Sequence, residues 1–358
     1  MTINISQFDY HLPKDRIANT PASPRDHSQL MVVNRNTQSI SDHHFYDLPN
    51  FLSNNDVLVL NQTKVFPARI KGHKSTGGKV EILLLKQLSS NTWQVMSKPS
   101  LKLGQKITFN SLQAKVIKKE EQTGYSHLQF NYQDQDLISQ IFNHGVTPLP
   151  PYIENDTQEK IIRKQYQTTY AKHLGSSAAP TAGLHFTKDL LNTIQNQGTK
   201  IEYITLHVGS GTFQNLREEN IQTKSLHTEQ YQIEPNVAQR LNEYKKAGNK
   251  IIAVGTTSTR ALETATNQKI LQSTQNNQLD STNMFIYPPY RFQFVDAMIT
   301  NFHLPKSSLL MLVSALVSQP NTHQQFKTFK QSLIGKAYQH AIDNKYRFFS
   351  FGDAMFIH

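Results

Sequence analysis

The chain has 358 residues, 37% of them hydrophobic, which is enough for a sizeable core and favours two domains. It contains 0 cysteines, which excludes disulfides, thiolate nucleophiles, cysteine zinc sites and cysteine-held iron–sulfur clusters with their radical chemistry. Its 37 Lys and Arg against 26 Asp and Glu leave a net charge of +11, and the segment from Lys64 to Lys119 alone holds 12 basic residues against one acid, Glu81. Charge of that kind fits a polyanion partner such as nucleic acid, or a lysine-rich solvated surface.

No apolar run reaches the ~18 residues of a membrane span. The N-terminal stretch MTINISQFDYHLPKDR lacks a basic start followed by an apolar block, so a cytoplasmic location is expected.

In chain order, DVLVL (56–60) reads as a buried strand ending at Asn61. From about 67 to 149 the texture becomes short β-type runs, KVEILLLKQL, TWQVMSK, KITF, AKVIKKE and SHLQFNY, mostly separated by Gly or Pro turns. That spacing predicts a small barrel or sandwich. The proline cluster TPLPPY (147–152) marks a boundary.

A β/α alternation follows it. Thr187 is placed to cap a helix KDLLNTIQNQ that Gly198 stops. KIEYITLHV predicts a strand, and VAQRLNEYKKAG a helix ending at Gly248. KIIAVGTT predicts a strand running into the helix STRALETA. Residues 267–281, rich in Asn and Gln, read as a mobile surface loop, and MFIYPPY and VDAMITNFHL as strands. SSLLMLVSALV (307–317) reads as a buried helix, QQFKTFKQSLIGKAYQHAIDNK as a helix broken near Gly335, and RFFSFGDAMFI as closing strands. Strands alternating with helices imply a mixed, mostly parallel sheet. The predicted fold is therefore α/β, with residues 1–66 and 150–358 forming the α/β domain around an inserted β-barrel at 67–149.

Ligands bind beyond the carboxyl ends of parallel strands. In AVGTTSTR (253–260), Thr256 and Thr257 stand where a strand ends and a helix begins, with Arg260 one turn on. Exposed backbone N–H groups there suit anions or ligand hydroxyls, and ordinary helix capping by one Thr is the competing reading. LHVGSGTF (206–213) carries Gly209 and Gly211, half of a dinucleotide fingerprint, with His207 just before them. ITNFHLP (299–305) sets Asn301 and His303 two apart, on one side if the strand continues. SFGDAMFI (350–357) carries Asp353, AAPTAGLHFT (178–187) carries His185, and LHTEQY (226–231) carries His227 and Glu229. No histidine pair joins a carboxylate at metal-ligand spacing in these loops, so no metal is expected.

These motifs have a precedent. FDYHLP (8–13), DVLVLNQTKVFPARI (56–70), PLPPYI (148–153), AAPTAGLHFT, LHVGSGTF, LHTEQY, IIAVGTTSTRALE (251–263), FIYPPYRFQFVDAMITNFHLPKSSLLMLVSA (285–315) and KYRFFSFGDAMFI (345–357) resemble, in order, the S-adenosylmethionine:tRNA ribosyltransferase-isomerases of queuosine synthesis. The resemblance implies an α/β domain interrupted by a six-stranded barrel. It also implies transfer of the ribosyl part of S-adenosylmethionine to 7-aminomethyl-7-deazaguanine at the anticodon wobble position, with loss of adenine and methionine and formation of epoxyqueuosine. The implied partners are tRNAs with GUN anticodons (Asp, Asn, His, Tyr) and S-adenosylmethionine as co-substrate. No metal or membrane is implied, and a monomer is expected. The chain departs from the family pattern at Pro289, where Gly is usual, at Ser281–Asn283, where a Trp is often found, and at Val317–Ser318, where a Gly is usual.

Under this resemblance His185, His207 and His303 are candidate acids and bases, since imidazole titrates near neutrality. Glu229 and Asp353 are candidates to hold ribose hydroxyls, the sulfonium or the aminomethyl cation. Gly209, Gly211, Thr256, Thr257, Arg260 and Asn301 are candidates to cradle S-adenosylmethionine. Lys64, Arg69, Lys71 and Arg347 are candidate phosphate contacts. An ordinary methyltransferase and a non-catalytic RNA-binding protein stand as the competing readings. The first should carry a full glycine fingerprint, and the second gives no reason for the ligand loops.

Overall fold

A computed structural model describes the chain except residues 1–3, 122, 154–156, 210–215, 217 and 276–277. Among the described residues the larger sheet has nine strands, in the order Asp280–Met284, Ser225–Gln232, Lys200–His207, Asp56–Asn61, Lys250–Val254, Ala297–Asn301, Ala354–Ile357, Gln29–Asn34 and Ser39–His44. The central run from Lys200–His207 to Ala297–Asn301 is parallel. Both flanks are antiparallel, apart from the parallel pairing of Gln29–Asn34 with Ala354–Ile357.

The composition of the central strands follows from their position. Every residue of Asp56–Asn61 is buried, because helices or loops cover both faces of a parallel strand. At its end, Asn61 clamps the neighbouring strand: its Nδ2 donates to the Leu206 carbonyl, and its Oδ1 accepts from the Leu206 and Thr63 amides. On one face lie Lys188–Asn196, capped by Thr187 as its sequence predicts, and the Thr181–His185 turn of 3-10 helix. Pro235–Lys246 and Thr256–Ala265 cover the adjoining strands from the other side. The apolar Ser308–Leu316 helix, capped by Ser307, is buried in the largest core cluster.

The second sheet closes on itself. Arg69–Lys74 pairs in turn with Lys79–Gln87, then Thr92–Lys98, Ser126–Phe130, Leu112–Lys119 and Lys106–Phe109, which pairs back to Arg69–Lys74. This is a six-stranded antiparallel barrel. Strict alternation builds it: Ile107, Phe109, Leu112, Ala114 and Val116 point into one core while Lys106 and Lys115 face water. The sequence expectations named five of these strands. The sixth, Arg69–Lys74, reads poorly because only Ile70 supplies an apolar inward side chain, with Gly72 at the other inward position. A Cβ on Gly72 would lie 2.3 Å from the Phe109 ring. The Asp134–His144 helix, also not anticipated, packs Leu137 and Ile141 onto the same core.

Several terminal expectations are corrected. Residues 285–290 are not a strand, because Pro288 and Pro289 lack the N–H groups a ladder needs. The segment 267–281 is structured where described: Thr266–Asn267 and Ile270–Leu271 form a hairpin about Gln268 and Lys269, and Asp280–Met284 is an edge strand. In RFFSFGDAMFI only Ala354–Ile357 is a strand, because residues 347–353 form a turn held by Asp353. Residues 324–332 are not helical, since Phe329 N donates to the Gln7 carbonyl and Phe326 stacks on Phe8. The last helix, Leu333–Asp343, starts rather than breaks near Gly335, whose N–H donates to the Ser332 cap.

That glycine yields a test. A Cβ on Gly335 would lie 1.8 Å from the Phe329 carbonyl oxygen. Ala at an ordinary helix position stabilises relative to Gly by ~1 kcal/mol; here Gly335→Ala is expected to destabilise by at least ~1–3 kcal/mol through overpacking. The urea midpoint reads the sign.

Candidate active site

Two cavities meet at one wall. The larger, about 690 Å³, lies between the barrel and the carboxyl ends of Lys200–His207 and its neighbours. The smaller, about 70 Å³, lies beneath the start of the Thr256–Ala265 helix. Val208 lines both. The strand ends therefore deliver the candidate loops to one place, as a parallel sheet should.

The small cavity is lined by Gly255, Thr256, Thr257, Asn301 and His303. Gly255 turns from strand to helix at φ +89, and no side chain caps the helix. The capping reading of the Thr run therefore fails. Ser258 and Thr259 donate back to the Val254 and Gly255 carbonyls, which leaves Thr256 and Thr257 towards the cavity. The strand ends at Asn301, so the two-residue spacing does not place His303. A bond between its Nε2 and Thr300 Oγ1 (2.9 Å) does, together with donation of its N–H to Tyr338 Oη (2.8 Å). Tyr10 Oη donates to the His303 carbonyl.

His185 lines neither cavity, contrary to the expectation that it faces a ligand. It is fully enclosed under Phe45, with ring centroids 4.9 Å apart. Its Nδ1 lies 2.7 Å from Ser28 Oγ and its Nε2 lies 3.1 Å from Asn301 Nδ2. With the Asn301 amide assigned this way, its nitrogen can only donate, so Nε2 accepts and the neutral ring carries its proton on Nδ1. His185 thus orients Asn301. Among the described residues nothing hydrogen-bonds Asn301 Oδ1, although it is buried.

The large cavity holds His207, Gly209 and Glu229 on its sheet side. His207 Nδ1 lies 2.8 Å from Thr63 Oγ1, and the ring lies flat on Gly175, where a Cβ would come within 2.7 Å of it. Glu229 is 2% exposed in its side chain and ion-pairs with Arg260, itself 6% exposed. Glu229 Oε1 also accepts from Gly209 N at 3.0 Å, and Arg260 Nε donates to the Met284 carbonyl. Arg260 Nη2 has no partner among the described residues. Gly211 lies outside the described residues.

The remaining candidates are engaged elsewhere. Asp353 accepts from Gln29 N, Arg347 N and the Arg347 guanidinium (3.0 Å), so it holds a turn rather than lining a cavity. Arg347 is consequently paired, with 35% of its side chain exposed. Arg69 donates to the Leu149 carbonyl and faces Glu81 at 3.5 Å. Lys64 and Lys71 are exposed, and Lys64 is the strand partner of Leu174 at the rim of the large cavity. Ser28, Thr63 and Asn61 escaped sequence reading because each acts on a residue more than 140 positions away. Among the described residues no group of three His, Asp or Glu could hold a metal ion. No helix among them is long and apolar enough to cross a membrane.

His185, His207 and His303 are held neutral. Burial, aided by the Arg347 and Arg25 charges, pushes His185 down to about 3. Burial alone takes His303 to about 3, and burial with the nearby His173 takes His207 to about 4. The unfolded chain protonates these rings near pH 6.5 and the folded chain does not. Between pH 6.5 and 4 the unfolded state therefore binds more protons, and stability must fall as pH falls. Each ring contributes up to ~1.4 kcal/mol per pH unit in that window. Urea titrations from pH 7 to 4.5 are expected to show a steep loss, and His303→Gln a shallower one.

Comparison with known proteins agrees with this architecture. The family model described as queuosine biosynthesis protein matches residues 5–357. A protein of Thermosipho melanesiensis named S-adenosylmethionine:tRNA ribosyltransferase-isomerase is 44% identical over 358 residues, covering 99% of this chain and 100% of that one. The crystal structure of an S-adenosylmethionine tRNA ribosyltransferase from Thermotoga maritima superposes with a TM-score of 0.53 at 34% identity, covering 98% of this chain and 100% of that one.

Proposed function

The chain belongs to the queuosine biosynthesis protein family, and from that membership we propose that it moves the ribosyl group of S-adenosylmethionine onto 7-aminomethyl-7-deazaguanine in the anticodon wobble position of tRNA. It is a transferase, and on this reading adenine and methionine leave and the sugar rearranges to the epoxycyclopentane of epoxyqueuosine. The tRNAs are those for Asp, Asn, His and Tyr, and the reaction takes place in the cytoplasm without a metal. The observation that carries the reading is the convergence at Val208 of two cavities, each with its own neutral histidine.

S-adenosylmethionine lies along Gly209, Thr256, Thr257 and Asn301. Asn301 Oδ1, a buried acceptor with no partner among the described residues, takes a ligand donor. The sulfonium lies towards Glu229, which its ion pair with Arg260 holds in position. Sulfonium withdrawal acidifies the adjacent C5′ hydrogens. His207, neutral and backed by Thr63, accepts that proton. His303, in the small cavity, attends the departing adenine. His185 is a positioning residue acting through Asn301. Asp353 and Arg347 hold the closing turn, and Arg347 is left half-exposed to meet a phosphate. The walls exclude water from the reactive sugar.

The barrel supports RNA binding. Lys106 faces Lys115 across paired strands, an arrangement that is unfavourable unless an anion relieves it. Lys64 and Lys71 extend the same charge. Affinity for tRNA should then fall steeply with salt, with a slope near −0.7 per phosphate neutralised on a single-stranded loop. Lys106→Glu combined with Lys115→Glu is expected to flatten that slope.

The deciding experiment incubates the protein with S-adenosylmethionine and tRNA carrying the aminomethyl base, with products read by mass spectrometry. Adenine, methionine and an epoxyqueuosine nucleoside are expected. S-adenosylhomocysteine would mark a methyltransferase, and salt-sensitive binding without turnover an RNA-binding protein. His207→Ala is expected to lower turnover ~10²–10⁴-fold.

A further inference from the structure

We infer that the barrel side of the large cavity receives the extruded nucleobase, with Tyr125 as its stacking surface and Gln94 as the reader of its edge. The inference rests on the transferase reading and extends it to a specific wall.

The cavity volume, about 690 Å³, accommodates a nucleoside together with part of a second ligand. One side belongs to the sheet and carries His207 and Glu229. The opposite side belongs to the barrel and carries Gln94, Trp93, Tyr125 and Lys86. The barrel also bears the surplus of positive charge. A base tethered to a phosphate chain must approach from the side where cations hold that chain. Exposed Lys86, which lines the cavity, and exposed Lys64, the strand partner of the lining residue Leu174, supply them. An extruded base is bound by stacking on an aromatic side chain and by hydrogen bonds to its edge. Tyr125, half-buried in the hairpin that ends the barrel mouth, provides the ring.

Gln94 has the complementary chemistry. A guanine-type edge offers one carbonyl acceptor beside an N–H donor, and a primary amide offers one donor beside one acceptor. The amide is held in place: Gln94 Nε2 donates to Glu120 Oε1 at 2.7 Å, which leaves a second N–H and Oε1 for a ligand. Glu120 is itself fixed. Desolvation alone would raise its pKa, but hydrogen bonds from His127, Thr123 and Gln94 outweigh this and bring it to about 2. His127 lies 2.7 Å from the same oxygen. The base then points inward, with its aminomethyl group towards Glu229 and the sugar donor.

The chain has 1 tryptophan, Trp93, which precedes Gln94 and lines the same wall. Its fluorescence reports occupancy directly. The probes are S-adenosylmethionine alone, an anticodon stem-loop RNA carrying the aminomethyl base, and the same RNA with adenine there. The first RNA is expected to change the emission saturably, and S-adenosylmethionine alone is not. Tyr125→Ala should weaken RNA binding roughly tenfold with S-adenosylmethionine affinity unchanged, and Tyr125→Phe should restore it. Gln94→Leu should reduce discrimination against the adenine RNA by roughly tenfold. An emission change produced by S-adenosylmethionine and not by RNA would overturn the inference. So would normal RNA affinity in Tyr125→Ala together with undiminished discrimination in Gln94→Leu, even with turnover intact and the transferase reading standing. An RNA-dependent emission change with those losses but with no ribosyl transfer would instead overturn the reaction and keep the base pocket.

Discussion

The buried ion pair between Arg260 and Glu229 is the contact on which the site depends. It joins the Thr256–Ala265 helix to the Ser225–Gln232 strand, and through Gly209 N and the Met284 carbonyl it also holds the loop after the neighbouring strand and the end of the edge strand. Two charges with so little exposure are tolerable only because each satisfies the other, and removing one strands its partner at a cost of ~3–5 kcal/mol. Hydrophobic residues of similar volume could fill the same space with no such risk. On the proposed reading, a pair kept at the wall of the large cavity serves as a fixed carboxylate beside a cationic substrate.

Around that pair, neighbouring groups divide the work. Three histidines occur in sequence motifs that look equivalent, yet their surroundings differ. His207 is backed by a hydroxyl and opens to the large cavity, His303 opens to the small one, and His185 is sealed beneath Phe45. Only the first two line a cavity. The third orients Asn301, whose acceptor has no partner among the described residues. Asp353 and Arg347 show the same separation, since their mutual pairing closes the turn that leads into the last strand.

The barrel contributes a wall and a charge. Its core is ordinary alternation, but its outer face places lysines opposite one another and surrounds Glu81 with Arg69, Lys71 and Lys98. Such a surface is poor for stability at low salt and suited to a phosphate chain. The cavity arises only because the barrel mouth and the sheet ends face each other across a gap, with Phe66 and Trp93 on one side and Val208 on the other.

Much of this was legible in the residues. The DVLVL run read as a buried strand, Thr187 and Gly198 punctuated their helix, and alternation marked five of six barrel strands, because these features are written in near neighbours. Quoted motifs also carried the family resemblance and most of the loops that reach the cavities. Other features lay outside any local pattern. Ser28 meets His185 across 157 positions, Thr63 meets His207 across 144, and Gly335 is required by a carbonyl packed against its Cα. Sequence by itself determined the central strands, the capped helices and five of the six barrel strands, because backbone preference and hydrophobic period are local. The tertiary structure alone decided which histidine lines a cavity, which carboxylate is spent on a turn and where the barrel meets the sheet, because burial and hydrogen-bond partners exist only once distant segments pack.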